Sequence, residues 1–314
     1  MGKENLWQKF WNNGNKTERG TVKTRNIKRR NFVRLGVVAA VGAALEPIIN
    51  IRDSLLAYET NEEITRHIGE FKDSIDTAEP NVVYQARLER GIHVDLVAVP
   101  IGDFEMGHTK EETDELIRAS GVTTYDVEEV DPKFRKVKIE RAFAIGKFEV
   151  TNEQYAQFDS THHYPPGREK FPVTNLKLAQ MEGFCEWVEK AHLGFKVRLP
   201  TEREWEYAAK GKTKNLYTWK YSNPPEDMAN INSSGLLPVG SMSESRSSCG
   251  ADDMIGNAAE AVIAEKFRYV HAWSWDIVAR GGSYNSVPYS CRTTVRHILL
   301  NAQGADIGFR IVMI

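Results

Sequence analysis

Cysteine is scarce in this 314-residue chain, which contains three: Cys185, Cys249 and Cys291. Three thiols are too few for a disulfide scaffold, and none of them belongs to a C-x-x-C pair of the kind that holds structural zinc. At most one disulfide can form. The chain must therefore fold around an apolar core, and a hydrophobic content of 41% with 10% aromatic residues is sufficient for one.

The sequence also has little net charge. Its 41 basic and 43 acidic side chains leave a formal charge of -2, so no overall field attracts polyanions and nucleic acid is a poor partner. Glycine-rich nucleotide loops, Walker sequences and G-x-S-x-G elbows do not occur. Nucleotide-dependent chemistry and serine hydrolysis on these motifs are therefore not expected.

Long hydrophobic runs are missing as well. A basic N-terminal segment containing Arg29 and Arg30 precedes a short apolar stretch at 37–45, which is too short for the roughly 20 residues of a membrane span. This order predicts a twin-arginine-type signal peptide at 1–45 and a periplasmic protein without a stable membrane span. The alternative is a basic arm that leads into a buried helix.

The texture of the chain changes near residue 94. Residues 46–93 are polar and helix-prone, which predicts a helical N-terminal extension. From 94 to 314 the pattern is one of short strands, turns and a few capped helices, without repeats, and it predicts one domain. Thr151 with Gln154 and Thr201 with Glu204 are predicted to form capping boxes at two helix starts.

Six segments resemble, in order, the signatures of the formylglycine-generating enzyme family, also called sulfatase-modifying factors. They are V-P-I-G-D-F-E-M-G at 99–107, K-F-E-V-T-N-E-Q-Y at 147–155, R-L-P-T-E-R-E-W-E-Y-A-A at 198–209, D-M-I-G-N at 253–257, R-G-G-S-Y at 280–284 and G-F-R at 308–310. The resemblance implies a loop-rich α+β fold related to C-type lectins, with little regular secondary structure. It covers about residues 94 to 314 and says less about function than about fold.

The resemblance also implies a copper site, from which this chain departs. Generating enzymes of the family oxidise a sulfatase cysteine to formylglycine, with copper(I) held between two cysteines that lie five positions apart after the Gly-Gly-Ser motif. Here the two positions are Ser286 and Cys291. A serine hydroxyl is a hard, weak ligand for soft copper(I), so copper is doubtful. Cys291 is a candidate catalytic thiol or a packed core residue, and Cys249 is a packed residue or a disulfide partner of Cys291.

A calcium site is the second metal that the resemblance implies. The matching positions are Asp253, Gly256, Ala258 and Glu260, which would supply carboxylate and backbone oxygens. The tryptophans that flank this glutamate in the family are alanines here, and a salt bridge from Glu260 to an arginine is the alternative. A further calcium site of the family would begin at Asn230, but the loop that follows is too short to complete it, so we expect its loss.

The candidate catalytic residues are Cys291, Ser286, Arg292 and Glu260. The resemblance places Arg292, Arg296 and His297 along the groove that peptide substrates occupy, where an arginine can bind a carboxylate. The alternative is that Arg280, Arg296 and Arg310 pair with buried acids and stabilise the loops. His162 and His163 lack a partner at helical spacing, so a metal site is not expected there.

These features lead to one main hypothesis and two alternatives. The chain is expected to be an exported, monomeric family member that matures or modifies a periplasmic protein, a peptide or a peptide-derived metabolite, as exported members that act in siderophore chromophore maturation do. The first alternative is a binding or accessory protein without chemistry. The second is a formylglycine-generating oxidase that uses Cys291 alone.

Overall fold

The computed structural model describes only part of the chain. All described residues belong to the second of two compact units, Arg34–Ile314. The described residues are 37–38, 48–50, 83–88, 92–109, 111–112, 114, 134–192, 195–219, 228–264, 277–298 and 303–314. Apart from 37–38, the predicted signal peptide lies outside them, as does most of the predicted helical extension. No helix among these residues is long and apolar enough to cross a membrane.

Within these ranges the structure is an α+β arrangement of short elements joined by long loops, as predicted. The strands are β1 (Val37–Val38), β2 (Ile48–Asn50), β3 (Val83–Arg87), β4 (His93–Val99), β5 (Gly102–Met106), β6 (Arg135–Ile139), β7 (Phe143–Gly146), β8 (Val197–Arg198), β9 (Ala259–Ile263), β10 (Ile277–Arg280), β11 (His297–Ile298), β12 (Ile307–Gly308) and β13 (Val312–Met313). The α-helices are α1 (Asn152–Phe158), α2 (Leu178–Ala191) and α3 (Glu202–Lys210).

Three sheets organise these strands. The largest has the order β1-β2-β3-β4-β7-β13-β8, so the C-terminal strand lies between two strands from the middle of the chain. The second has the order β11-β10-β9-β12, with β12 parallel to β9, and the third is the antiparallel pair β5 and β6. Strands from distant parts of the chain thus meet in the two larger sheets, and the loops between them carry the candidate site.

The helix starts follow the local sequence closely. Thr151 caps α1 in a capping box with Gln154, and Thr201 caps α3 in a capping box with Glu204, as predicted. Helix α2 buries one face, which packs into the main core. Capping residues lie within one turn of the helix that they stabilise, so their effect can be seen in sequence alone.

The predicted helical extension at 46–93 is wrong at its C-terminal end. Residues Val83–Arg87 form strand β3, which pairs antiparallel with β4, for example Tyr84 with Leu96. Tyr84 and Leu96 are both buried in the main core. The apolar residues of 83–87 therefore belong to a sheet and not to a helix, and the globular fold begins before residue 94.

Candidate functional site

Two successive glycines form the turn in front of the predicted copper positions. Gly281 and Gly282 have φ angles of 84° and 69°, a region that glycine adopts readily and other residues rarely. A β-carbon at Gly282 would lie 2.4 Å from the Sγ atom of Cys291. The turn therefore packs its backbone directly against this thiol, and a larger residue does not fit at Gly282.

Cys291 is fully buried at the end of the 3-10 helix Pro288–Cys291. Its Sγ atom donates to the carbonyl oxygen of Val287 at 3.5 Å. Burial raises the pKa of Cys291 to about 12, and the hydrogen bond with Ser286 opposes this shift only in part. In the metal-free protein Cys291 is therefore a protonated thiol at neutral pH, the opposite of the thiolate that a nucleophile requires.

Ser286 lies next to Cys291, as the five-residue spacing predicts. Its hydroxyl contacts the Cys291 side chain and accepts a hydrogen bond from the backbone N–H of Ser283 at 3.0 Å. Its carbonyl oxygen accepts the backbone N–H of Asn232 at 2.9 Å. The half-buried Ser286 thus occupies the position beside Cys291 that the family resemblance assigns to the first thiolate.

The residues at this position do not fit copper(I). A soft ion of this kind requires two thiolates, whereas the structure offers a serine hydroxyl and a thiol whose pKa is raised to about 12. The other cysteines do not compensate. Cys185, Cys249 and Cys291 are all free and belong to three different packing clusters.

The alternative of a disulfide between Cys249 and Cys291 is therefore wrong. Cys249 donates instead to the carbonyl oxygen of Ala208 at 3.3 Å, and its burial raises its pKa. Cys249 is a packed residue of the core beside α3, and it does not supply a second thiol next to Cys291.

Glu260 is predicted to be a catalytic residue and a calcium ligand, with a salt bridge to an arginine as the alternative. Its carboxylate is buried on β9, where the Nε and Nη2 atoms of Arg310 donate to it at 2.6 and 2.5 Å. The indole N–H of Trp205 donates to the same carboxylate at 2.7 Å. Both oxygens are thus engaged, and the salt bridge that was the alternative reading is the one observed.

The remaining predicted calcium ligands are organised by protein contacts. Asp253 has a positive φ of 54°, and its Oδ2 atom accepts the backbone N–H of Gly240 at 2.5 Å. The Gly256 N–H donates to the Gly281 carbonyl oxygen at 3.0 Å. The backbone N–H of Ala258 contacts another carboxylate, described below. Among the described residues, no group of three or more His, Cys, Asp or Glu side chains is arranged to hold a metal. Glu260 is thus already paired with Arg310, and calcium binding at these four positions stays a prediction.

A buried carboxylate that sequence reasoning missed lies beside Asp253. Oε1 of Glu149 accepts the side-chain N–H of Asn257 at 3.0 Å and the backbone N–H of Ala258 at 3.3 Å. Its Oε2 atom is buried and has no hydrogen-bond partner among the described residues. Burial, followed by the charge of Asp253, raises the pKa of Glu149 well above its ordinary value. The available signal was its place in the 147–155 motif.

Two arginines near the Gly-Gly turn pair with acids of α3. Glu202 and Glu206 lie one turn apart on this helix, and both are fully buried. Arg280 contacts Glu206 at 2.6 Å and Glu202 at 3.2 Å, and Arg296 contacts Glu202 through two bonds of 2.6 and 2.8 Å. The structural alternative is thus confirmed for Arg280 and Arg296, as it is for Arg310.

Arg292 and His297 are also tied into the protein. Arg292 is fully buried, and its guanidinium carbon lies 4.2 Å from the centroid of the Tyr289 ring. The Nε2 atom of His297 lies 2.8 Å from the carbonyl oxygen of Ser290. A fully buried arginine can bind a peptide carboxylate only after rearrangement, so the role of Arg292 at a substrate groove stays a prediction.

The two adjacent histidines line an open groove of about 640 Å³ between the start of α1 and the start of α2. The Nε2 atom of His162 contacts the side-chain oxygen of Asn152 at 2.9 Å, and its ring packs edge-on against Tyr155. Burial lowers the pKa of His162. This histidine is a neutral, hydrogen-bonded packing residue at neutral pH.

With this geometry in place, the chain was compared with known proteins. Residues 85–313 match the family described as "Sulfatase-modifying factor enzyme 1-like domain". The match begins inside β3, in agreement with the earlier start of the globular fold. The match covers well over half of the chain and includes the three helices and strands β4 to β13.

Similar proteins differ in what their names say. A hercynine oxygenase from Mycobacterium tuberculosis is 32% identical over 146 residues, which are 40% of this chain and 32% of that protein. An inactive C-alpha-formylglycine-generating enzyme 2 from Bos taurus is 29% identical over 165 residues, which are 46% of this chain and 51% of that protein. The chain thus spans a third to a half of these relatives.

Two solved structures share the fold. PvdO from Pseudomonas aeruginosa has a TM-score of 0.58 at 21% identity and covers 75% of this chain and 98% of its own. Treponema denticola variable protein 1 has a TM-score of 0.57 at 19% identity, with 74% and 98% covered. At these identities the likeness shows the fold alone.

Proposed function

We propose that this chain, which belongs to the sulfatase-modifying factor family, uses that fold to mature or modify an exported protein, peptide or peptide-derived metabolite without copper oxidase chemistry. The predicted leader at 1–45 supports export by the twin-arginine route and a periplasmic location. The observation that carries the proposal is the contact between the Ser286 hydroxyl and the buried Cys291 thiol.

The chemical reason is the loss of a soft ligand pair. Copper(I) binds thiolates far more strongly than hydroxyls, and only one of the two positions, Cys291, carries a thiol. The second thiolate that would complete the pair is replaced by Ser286. A formylglycine-generating oxidase that uses Cys291 alone is therefore disfavoured.

The experiment restores the missing thiol. The purified protein, the Ser286→Cys variant and the control Ser286→Ala are titrated with copper(I) against a competing chelator. Each is then incubated with dioxygen and a sulfatase-type cysteine peptide. We expect orders of magnitude tighter copper(I) binding for Ser286→Cys than for the other two, because only this variant has two thiols in contact.

Formation of formylglycine by the unmodified protein would overturn the proposal. Equal copper(I) affinity in all three proteins would show that Ser286 does not stand in the place of a copper ligand. Each variant is checked by thermal unfolding, so that a loss of fold is separated from a loss of binding.

A binding role without chemistry is the second candidate, and the burial of the predicted catalytic residues favours it. Cys291, Arg292 and Glu260 are all buried, and only Ser286 of the four is partly exposed. To separate the candidates, a peptide library is passed over the immobilised protein and bound peptides are weighed by mass spectrometry. Unchanged masses support binding alone, whereas a defined mass change supports modification.

A further inference from the structure

A basic groove of about 490 Å³ runs along strand β6 and the first turn of α3. Ser286 and Cys291 are not among the residues that line it. Five basic side chains line it against two acids, Glu140 and Glu204. Glu204 is already paired, because its two oxygens accept hydrogen bonds from Arg198 at 2.7 Å each. Three of the five cations, Lys136, Lys138 and Arg141, form no ion pair among the described residues, so the groove carries an excess of positive charge there.

The strand beside this groove has an open edge. In the part of the chain that the structure describes, β6 pairs with β5 alone. Val137 and Ile139 point into the core, while Lys136, Lys138 and Glu140 are exposed on the opposite face. Side chains on one face of a strand repeat about every 6.6 Å. The edge thus offers backbone hydrogen-bonding groups next to a row of two positive charges and one negative charge.

Lysines on an edge strand often serve only to prevent pairing with other chains. Two observations argue for more than protection at β6. The groove provides space along the strand, and a third exposed cation, Arg141, lines the same groove just after Glu140. Lys136, Lys138 and Arg141 form no ion pair among the described residues. Space, unpaired backbone and unpaired charge therefore coincide at one edge.

We propose that the β6 edge docks an extended acidic segment of a partner protein, which adds to the β5–β6 sheet as a further strand. Strand addition draws its affinity from main-chain hydrogen bonds and its specificity from alternate side chains. The segment would place carboxylates opposite Lys136 and Lys138, and a neutral or basic side chain opposite Glu140. This docking does not depend on the chemistry proposed at Ser286 and Cys291.

The test uses a fluorescent peptide with blocked ends. Two glutamates at alternate positions face Lys136 and Lys138, a lysine at the next alternate position faces Glu140, and valines fill the positions between them. Its binding to the full chain is followed by anisotropy at low and moderate salt. Two further versions carry N-methyl groups on alternate backbone nitrogens, one for each edge of the peptide strand. They keep the charge but remove the main-chain donors, so we expect one of them to lose binding.

Charge reversal tests the protein side. Lys136→Glu combined with Lys138→Glu replaces two attractions by two repulsions, and we expect at least about tenfold weaker binding. The matched control is Lys177→Glu combined with Lys190→Glu, which makes the same charge change at exposed sites flanking and within α2. This control should bind the peptide as the unmodified protein does, and both variants should unfold at about the same temperature.

Several outcomes would overturn the proposal. Equal binding of all N-methylated peptides would show a charged patch without strand addition. Equal loss in the control variant would show that net charge alone determines binding. Absence of peptide binding would show that this edge does not dock an acidic strand. That conclusion holds whether or not the protein binds vesicles that contain anionic lipid.

Discussion

Replacing Glu260 with glutamine would remove one charge from a buried ion pair and keep the size of the side chain. In the structure both Glu260 oxygens accept N–H groups of Arg310, at 2.6 and 2.5 Å, and one of them also accepts the indole N–H of Trp205. Both charged side chains are almost completely buried. The variant therefore leaves the Arg310 charge without its partner inside the core.

The expected cost follows from this burial. Removal of one member of a buried pair typically costs about 3–5 kcal/mol. Arg310 retains hydrogen bonds to the carbonyl oxygens of Gly146 and Asp252, and the charge of Asp253 also acts on it. We therefore expect the lower end, about 3 kcal/mol. At about 2–4 °C per kcal/mol for a domain of this size, Tm should fall by about 6–12 °C.

The assay is urea and thermal unfolding followed by circular dichroism. The control is Glu153→Gln, which breaks the exposed pair with Lys170 and should cost at most about 1 kcal/mol. The double variant Glu260→Gln with Arg310→Met removes both charges and should recover part of the loss, because an ion pair replaced by apolar groups is often neutral.

Calcium distinguishes the ion pair from a metal site. If Glu260 is only a partner of Arg310, added calcium or a chelator should change Tm equally little for the protein and for Glu260→Gln. A calcium-dependent rise in Tm that the variant loses would refute the reasoning, because a ligand that binds the folded state must stabilise it. A loss of stability below about 1 kcal/mol in the variant would refute it as well.

Four further predictions concern buried groups. The pKa of Glu149 is raised in the fold, so the stability that its protonated form contributes is present at acid pH and is lost as the pH rises above the ordinary pKa of a glutamate. Glu149→Gln should therefore show a smaller decline of Tm towards alkaline pH than the unmodified protein. An equal decline in both proteins would contradict this. The pKa of Asp253 is raised to about 6, so Asp253→Asn should also show a smaller decline of Tm towards alkaline pH. The three cysteines should react with a thiol reagent only after unfolding, since burial raises the pKa of Cys291 to about 12, and rapid labelling of the native protein would argue against the enclosed thiol. Gly282→Ala should destabilise the fold by at least about 1–3 kcal/mol in urea unfolding, because it combines a positive φ with a clash against Cys291.

The short-range features were predictable because their causes lie close together in the chain. The capping boxes at Thr151 and Thr201 need residues three positions apart, and both were found. The contact between Ser286 and Cys291 follows from a five-residue spacing after a glycine turn. By contrast, the sequence predicts a helical segment at residues 83–87. Their pairing with β4, which makes them a strand, is seen only in the structure.

The amino-acid sequence by itself determined the family, the loop-rich α+β fold and the serine in place of a copper-binding cysteine. Only the tertiary structure decided what the buried charges do. Glu260 meets Arg310 across 50 residues, and Glu202 meets Arg296 across 94. No local pattern encodes such a pairing, since the same glutamate motif suits a metal ligand or an ion pair. Burial makes the choice, because a carboxylate removed from water must find a positive partner or keep its proton.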